Sequence, residues 1–320
     1  MKKALILGVG GQDGSYLAEL LLGKGYEVHG MLRRSSTGNT KNIEGIIDKL
    51  HIHWGDLSDP LSLEAIIDEV QPHELYNEAD QDLASRSWFV PNYNYDVTGG
   101  AVGTLLRILK KYPKTRFLQP ISSNIFGRTK MCPQNEETAH DPQSPYACAK
   151  SMAFHLVRMY REQGVFASTA ILYNHESYRR TEEYLTRKVT LAVGRIARGE
   201  QKELLLGDLN AKIDWGWAPE FVEAEWKILQ LDKPDDFIIA TGEAHSVEEW
   251  VARSFYAAGL DWLKYVKTDK SLLRPASNSV LIGDYSKAKN AFGFEPLWKF
   301  QNIVNAMVGN DLGGVHNNRS

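Results

Sequence analysis

Near its start the chain reads Ala4-Leu5-Ile6-Leu7-Gly8-Val9-Gly10-Gly11-Gln12-Asp13-Gly14, a short apolar run that leads directly into closely spaced glycines. Gly8, Gly11 and Gly14 are three residues apart, and residues 15–24 behind them have apolar side chains at helical spacing. Glycines between a strand and a helix allow a tight turn in which backbone N–H groups approach a pyrophosphate. The stretch therefore predicts a dinucleotide-binding turn, with a purely structural turn as the alternative.

Strand-like and helix-like segments alternate through the first 175 residues. The predicted strands are 4–8, 26–32, 75–77, 117–122 and 165–173, and the predicted helices are 15–24, 61–70, 104–111 and 147–162. This alternation predicts an α/β fold with a Rossmann-type doubly wound parallel sheet and a second, smaller mixed α/β substrate lobe. We assign residues 1–173 and parts of about 214–245 to the Rossmann domain, and about 174–213 and 246–320 to the second lobe.

Composition excludes several other classes of protein. The 320 residues are 43% hydrophobic, and 37 Lys and Arg against 40 Asp and Glu give a formal net charge of −3. That balance provides no general attraction for nucleic acid or anionic lipid. No apolar run approaches the ~18–20 residues of a membrane span, and the two cysteines make neither a disulfide framework nor a zinc cluster. We expect a soluble cytoplasmic enzyme without nucleic-acid or membrane partners.

The loop after the second predicted strand indicates which dinucleotide is bound. In NAD-binding Rossmann domains an acidic residue usually lies there and hydrogen-bonds the ribose 2′-hydroxyl. This chain has Arg33-Arg34-Ser35-Ser36 instead. Two guanidinium groups beside hydroxyls suit a 2′-phosphate, although a solvated basic loop is the alternative. The sequence therefore favours NADP(H) over NAD(H). Asp56 and Leu57, after the next strand, are predicted to receive the adenine ring.

Tyr146 and Lys150 are four residues apart on a predicted helix and so share one face. A nearby ammonium lowers the pKa of a phenol, so that Tyr146 could serve as a base toward a sugar hydroxyl near neutral pH. Ser122-Ser123 precedes this pair. The residues predicted to contact the cofactor are Gly8, Gly11, Gln12, Asp13, Gly14, Arg33, Arg34, Ser35, Asp56, Leu57, Tyr146 and Lys150.

Together these features resemble the extended short-chain dehydrogenase/reductases and, among them, the GDP-mannose 4,6-dehydratase family. The similar segments follow the family's order along nearly the whole chain. Asn174-His175-Glu176-Ser177 and Asp214-Trp215-Gly216 are far more specific than the glycine motif. The other matching segments are 11–21, 25–30, 33–36, 144–147, 179–180, 186–189, 240–242 and 274–275.

The resemblance implies an NADP-dependent enzyme that acts on a GDP-linked sugar. It also implies that the cofactor is held across a subunit interface by residues 33–40, and hence a homodimer or homotetramer. A basic cluster in the second lobe agrees with binding of a diphosphate, although exposed helix charge is the alternative. The residues that would hold the guanosine diphosphate are Asn174, Arg180, Arg187, Lys188 and Arg274.

The chain departs from the family at the end of the strand that precedes Tyr146. The dehydratases have Ser-Thr-Ser-Glu-Leu-Tyr-Gly where this chain has Ile121-Ser122-Ser123-Asn124-Ile125-Phe126-Gly127. Ser122 keeps a hydroxyl for the sugar 4-oxygen. Asn124 replaces the glutamate that, by resemblance, moves protons at C5 and C6 during dehydration, and an amide has no useful basicity.

A second departure is the run of carboxylates at Glu78, Asp80 and Asp82, where the family is neutral. Asp82 is our candidate for a substitute base, with solvated loop charge as the alternative. A carboxylate near a nicotinamide ring would also favour its oxidised, positively charged form.

Three functions remain open at this stage. The leading one is a GDP-sugar-modifying enzyme of the dehydratase type, which begins with hydride transfer at sugar C4. The second is a GDP-hexose or GDP-heptose 4-epimerase, 4-reductase or 4-dehydrogenase that does not dehydrate. The third is a catalytically silent cofactor-binding partner subunit, against which Tyr146 and Lys150 argue.

His51 and His53 alternate on a predicted strand. Metal binding would require a third ligand, which the sequence does not place, and we therefore predict packing and no metal site.

Overall fold

The computed structural model describes residues 1–36, 38–272 and 280–313. The strands are β1 (Lys3–Leu7), β2 (Glu27–Leu32), β3 (His51–Trp54), β4 (Glu74–Asn77), β5 (Arg116–Ser122), β6 (Ala167–Leu172), β7 (Asn174–Glu176), β8 (Leu204–Leu206), β9 (Lys212–Trp217), β10 (Asp236–Ile239), β11 (Ala244–Ser246) and β12 (Val266–Thr268). The helices are α1 (Gln12–Gly23), α2 (Pro60–Val70), α3 (Pro91–Asn94), α4 (Ala101–Leu109), α5 (Pro145–Glu162), α6 (Leu185–Ala197), α7 (Ala218–Gln230), α8 (Val247–Ala257), α9 (Ser286–Phe292) and α10 (Phe300–Asp311).

Seven parallel strands form the main sheet, in the order β3-β2-β1-β4-β5-β6-β10. The strand order reverses between β1 and β4, and in such sheets ligands bind in the crevice at the carboxyl ends next to that reversal. The predicted doubly wound parallel sheet is confirmed. Two small sheets, β11-β9-β7 and β12-β8, lie outside it.

Apolar side chains on the strands alternate between the two faces of the sheet. Leu5 and Leu7 belong to one buried cluster, whereas Ala4 and Ile6 belong to the cluster on the other face. A third buried cluster includes Trp215 and joins β9 to α6, α8 and α10. Burial of each large apolar side chain contributes about 1.5–3 kcal/mol, so three separate cores are available to hold the chain together.

Asp214 on β9 fixes the turn that follows β10. This buried carboxylate accepts hydrogen bonds from the backbone N–H groups of Thr241 (2.9 Å), Gly242 (3.0 Å) and Gly283 (3.3 Å). Burial raises the pKa of Asp214, and these donors oppose that rise. The Asp214-Trp215-Gly216 segment thus has a structural role.

Strands β10 and β3 are the two edge strands of the large sheet, and α7 packs against β5 and β6. The division of the chain into two lobes stays a prediction. Within the part of the chain that the structure describes, no helix has the length and apolar character needed to cross a bilayer.

Candidate active site

The glycine turn between β1 and α1 is packed too closely for side chains. A Cβ on Gly14 would lie 2.4 Å from the Gly8 carbonyl oxygen, and one on Gly8 would lie 2.7 Å from the Ala79 nitrogen. Gly8 also has a φ of +81°, and Gly11 donates a backbone hydrogen bond to Gly8 (3.0 Å). Helix α1 begins after Gly11 without a side-chain cap, so its N-terminal turn can accept an anion. This cradle fits a dinucleotide pyrophosphate.

The side chains of Gln12 and Asp13 contact the segment that begins with β7. Asp13 lies 3.0 Å from Nε2 of His175, and Gln12 accepts a hydrogen bond from the Ser177 hydroxyl (2.8 Å). Burial alone would raise the pKa of Asp13, but His175 and Arg180 outweigh burial and lower it. Burial alone would lower the pKa of His175, and Asp13 raises it. The pair therefore fastens residues 174–180 to the start of α1.

The basic loop after β2 is accessible to solvent. The side chains of Arg33 and Arg34 are exposed, and Arg33 donates to the Tyr93 hydroxyl at 3.3 Å. Ser35 is exposed as well. The backbone of Asn39 packs against the glycine turn. A Cβ on Gly10 would lie 2.1 Å from the Asn39 carbonyl oxygen.

Asp56 and Leu57 follow β3, where the sequence predicts the adenine ring. The Asp56 carboxylate accepts from the Ser58 N–H (2.9 Å) and hydroxyl (2.8 Å), so it caps a turn before α2. The Leu57 side chain is buried in one of the apolar clusters. The contact of these two residues with adenine stays a prediction.

Ser122 and Asn124 lie at the carboxyl end of β5. Ser122 ends the strand, and its hydroxyl accepts from the Asn124 N–H at 3.2 Å as the chain enters a 3₁₀ turn. Ser122 also lies close enough to Tyr146 to lower the pKa of its phenol. The Asn124 side chain is exposed at this end of the sheet. The strand therefore presents both side chains at the edge where ligands bind in such folds.

Tyr146 and Lys150 are buried on one face of α5, with the Lys150 ammonium 5.8 Å from the centre of the Tyr146 ring. Lys150 donates to the Pro120 carbonyl (2.9 Å) and forms an ion pair with Asp80 (2.7 Å). Asp80 is held by the Gln81 N–H (2.7 Å) and by the hydroxyl of Thr98, which lies in a π-helical turn at Tyr95–Gly100. The sequence analysis singled out Asp80 as part of the carboxylate run, but no local pattern predicted that it pairs with Lys150.

Lys150 lowers the pKa of Tyr146, as predicted, but it does not bring that pKa near neutrality in this arrangement. Burial raises the pKa of Tyr146 to about 12; Lys150 and Ser122 lower it, whereas Asp80 and Asp82 raise it further. Burial would lower the pKa of Lys150, but Asp80 and Tyr146 raise it. Tyr146 is therefore a neutral phenol and Lys150 a charged ammonium near neutral pH.

Asp82 lies in the same region as Tyr146. Its side chain is accessible to solvent, but the protein atoms around it reduce its hydration and raise its pKa, which Tyr184 and Arg180 oppose. The Arg180 guanidinium stacks on the Tyr184 ring at 3.7 Å and lies 3.6 Å from Glu176. A carboxylate with a raised pKa and solvent access can exchange a proton with a substrate.

Two carboxylates that the sequence did not single out as bases lie nearby. Glu78 follows β4, and burial raises its pKa to about 8, with Asp13 adding to the rise. Glu225 on α7 is fully buried, and its pKa is raised by burial and by Glu78. One oxygen of Glu78 and both oxygens of Glu225 have no hydrogen-bond partner among the described residues. Both groups therefore favour the protonated form.

The predicted diphosphate residues separate into different environments. Asn174 is exposed at the start of β7, and Arg180 lies beside Asp82 and Tyr184. Arg187 instead forms an ion pair with the buried carboxylate of Asp311 on α10. That pairing gives Arg187 a structural partner.

Lys188 donates to the Leu205 carbonyl at 2.8 Å, on the side of α6 toward β8. Arg274 lies outside the described residues. Of the five predicted residues, the structure therefore brings Arg180 to the Tyr146 region, whereas Arg187 and Lys188 have partners elsewhere.

The fold and site define an enzyme of the short-chain dehydrogenase/reductase class. They combine a Rossmann sheet, a glycine turn after β1, the Tyr146-Lys150 pair on α5 and a serine at the end of β5. The model of the GDP-mannose 4,6 dehydratase family matches residues 5–307. GDP-mannose 4,6 dehydratase 2 of Arabidopsis thaliana is 45% identical over 97% of this chain and 87% of that protein. The chain belongs to the GDP-mannose 4,6-dehydratase family, as the sequence predicted.

Solved structures with low sequence identity share the fold. The dTDP-glucose 4,6-dehydratase of Bacillus anthracis, in complex with NAD, has a TM-score of 0.83 at 23% identity and 96% coverage of both chains. RMD from Pseudomonas aeruginosa, complexed with NADPH, has a TM-score of 0.82 at 18% identity, with 98% of this chain and 100% of that chain covered. The likeness confirms the predicted α/β fold class.

Gly14→Ala and Gly23→Ala form a matched pair within α1. The Gly14 variant is expected to lose about 1–3 kcal/mol of unfolding free energy, because its Cβ meets backbone that cannot move aside. Gly23 has no atom within 4 Å of the added Cβ, so that variant should gain about 0.5–1 kcal/mol. Chemical denaturation measures both, and equal effects would contradict the close packing of the turn.

Asp80→Asn is expected to lower the pKa of Tyr146 below its value of about 12, because Asp80 raises that pKa and also neutralises Lys150. Ultraviolet titration of tyrosinate, taken as the difference between each protein and its Tyr146→Phe counterpart, isolates this group. Asp96→Asn, which changes an exposed carboxylate, is the control. An unchanged Tyr146 titration in Asp80→Asn would show that Asp80 does not control the site.

Proposed function

We propose that this chain is an NADP-dependent enzyme that modifies a GDP-linked sugar, beginning with hydride chemistry at sugar C4. The observation that carries the proposal is the grouping of Ser122, Tyr146 and Lys150 at the carboxyl edge of the sheet, in a chain of the GDP-mannose 4,6-dehydratase family. When bound, the nicotinamide would supply the hydride acceptor. Gly8, Gly11 and Gly14 would hold the pyrophosphate of the dinucleotide.

Each polar residue has a distinct task in this proposal. Ser122 positions the C4 oxygen by hydrogen bonding, and Tyr146 exchanges the C4 hydroxyl proton. In the arrangement described, Tyr146 holds its proton, because burial and Asp80 keep its pKa high. To act as a base it needs the Lys150 charge, so Lys150 must be released from Asp80 when the site is filled.

Dehydration requires a further group that moves protons at C5 and C6. Asn124 is exposed at the site but has no basicity. Asp82 has solvent access, a raised pKa and a position close enough to influence Tyr146. We therefore propose Asp82 as the base that replaces the family's glutamate.

A second candidate function is favoured by Asn124 itself. Without a group for elimination, the same site would stop after C4 oxidation and act as a GDP-hexose or GDP-heptose 4-epimerase, 4-reductase or 4-dehydrogenase. A silent cofactor-binding subunit is the third outcome, and the Asp80–Lys150 ion pair is the feature that would fit it.

The preference for NADP rests on the loop after β2. The Bacillus anthracis and Pseudomonas aeruginosa structures described above contain NAD and NADPH respectively, so the shared fold does not decide between the two cofactors. The exposed guanidinium groups of Arg33 and Arg34 have the charge and geometry that bind a 2′-phosphate. A homodimer or homotetramer in the cytoplasm, with residues 33–40 at the subunit interface, completes the proposal.

Proton NMR of the purified protein with GDP-mannose and NADP tests the reaction. A growing methyl doublet from C6 would support dehydration, and Asp82→Asn should then abolish it. A changed C4 proton or accumulating NADPH without a methyl signal would support the C4-only function. No change at all would contradict hydride chemistry on GDP-mannose.

Asn124→Glu and Asn124→Gln separate charge from side-chain length. When each is combined with Asp82→Asn, the glutamate variant is expected to form the methyl product about 10²–10⁴ times faster than the glutamine variant, because Asp82 no longer supplies a base and only the glutamate carboxylate can transfer a proton. The same NMR time course measures both rates. Equal rates would contradict the role assigned to this position.

The double variant Arg33→Ala/Arg34→Ala tests the choice of cofactor. Loss of charged hydrogen bonds worth about 1.5–3 kcal/mol each should weaken NADP⁺ binding at least ~10-fold and leave NAD⁺ binding unchanged. Isothermal titration calorimetry measures both affinities. An equal loss for the two nucleotides, or tighter binding of NAD⁺ by the unaltered protein, would contradict the assignment.

A further inference from the structure

Three histidines and a glutamate meet on one face of the edge strand β3 and its neighbour β2. Glu27 and His29 are two residues apart on β2, as His51 and His53 are on β3, so each pair points to one face of the sheet. His29 lies opposite His51 in the parallel register. The sequence placed only His51 and His53; the pairing of the strands supplies the ligand that was missing.

The cluster is held together by short contacts. His29 Nε2 lies 2.9 Å from Glu27 Oε1, and His29 Nδ1 lies 2.9 Å from His53 Nε2. The His29 ring stacks on those of His51 and His53, with ring centres 4.7 Å and 5.2 Å apart. Side chains already ordered in this way lose little further entropy when they bind a ligand.

The two short contacts around His29 are compatible with a metal ion on its outer nitrogen. Without metal, His53 Nε2–H can donate to His29 Nδ1 and His29 Nε2–H to Glu27, so two neutral imidazoles supply both hydrogens. A metal ion bound to His29 Nε2 would displace that hydrogen, and His29 Nδ1–H would then donate to His53 Nε2. His53 Nδ1 lies 3.7 Å from Glu69, beyond hydrogen-bond distance.

We propose that Glu27, His29 and His51 bind a divalent transition-metal ion of the Zn²⁺ type. Their ligand atoms lie within 4.8 Å of one another, and these three are the group of metal-ligating side chains that meets this condition among residues 1–36, 38–272 and 280–313. Zinc bonds of about 2.0–2.2 Å to nitrogen and oxygen place tetrahedral ligands about 3.3 Å apart, so small side-chain adjustments complete the site. His53 then orients His29 through its other ring nitrogen.

The position of the site gives the metal a structural task. Glu27 and His51 are the first residues of β2 and β3, at the amino ends of the strands, whereas Ser122 lies at a carboxyl end. Strand β3 is at the edge of the sheet, with β2 as its neighbour. A metal bound between these strands would fasten the edge strand. Lys3, 3.7 Å from the same Glu27 oxygen, is half-exposed and can move aside.

Metal titration of the full chain, without an affinity tag and after removal of metal by a chelator, tests the site. ZnCl₂ in competition with a chromogenic chelator should show one strongly bound equivalent per chain, and Co²⁺ should give the visible absorption of tetrahedral coordination. Zn²⁺ should also raise the unfolding temperature, because it binds only the folded chain. Absence of a stoichiometric Zn²⁺ equivalent would overturn the proposal.

His51→Gln and His155→Gln are the matched variants. Both histidines are exposed, on β3 and α5 respectively, so neither change should affect folding. His51→Gln is expected to weaken Zn²⁺ binding by about 100-fold or more, since loss of even an outer-shell partner costs about 10–100-fold. His155→Gln should bind as the unaltered protein does. Equal affinities for the two variants would place the metal elsewhere and overturn the assignment, and Glu27→Gln provides an independent check.

Discussion

The close packing of the glycine turn is the constraint on which the site depends. Because Gly8 has no side chain, the backbone of Ala79, just after β4, can contact the turn. Because Gly14 has none, α1 can begin directly behind the turn. That approach places the carboxylates of residues 78–82 beside the turn. The Asp13–His175 pair at the start of α1 then fastens the segment that leads to Arg180. The glycine turn, the acidic segment and residues 174–180 therefore meet through a backbone contact at Ala79 and a side-chain pair at Asp13.

Electrostatic balance, rather than residue identity alone, determines what the Tyr146-Lys150 pair can do. Both groups are buried, and burial favours the neutral form of each. Asp80 raises the pKa of both groups. It therefore opposes the effect of burial on Lys150, which is charged, and adds to the effect of burial on Tyr146, which is protonated. Any ligand that takes Lys150 from Asp80 would change the acidity of Tyr146. The ion pair thus couples occupancy of the site to its acid–base state.

The surroundings of Asn124 separate two parts of the family's chemistry. In the proposed function, Ser122 at the end of β5 and Tyr146 on α5 serve proton exchange at C4, whereas Asn124, at the position of the family's glutamate, has an amide. The acidic segment supplies other carboxyl groups in the same region, and burial raises the pKa of both Glu78 and Asp82. A carboxylate with a raised pKa can donate and accept protons near neutral pH, which an asparagine cannot do.

The sequence by itself determined the parallel sheet, the glycine turn and the helix face shared by Tyr146 and Lys150, because side-chain periodicity and glycine spacing act locally. Segment boundaries agree within a few residues; for example, the helix predicted at 147–162 spans Pro145–Glu162. Only the tertiary structure decided which charges meet. Asp80 pairs with Lys150, Arg187 with Asp311, and His29 with His51. Burial of Leu57 likewise depends on the core formed by distant segments. Such partners are far apart in the chain, and strand order and helix packing, which no local pattern encodes, bring them together.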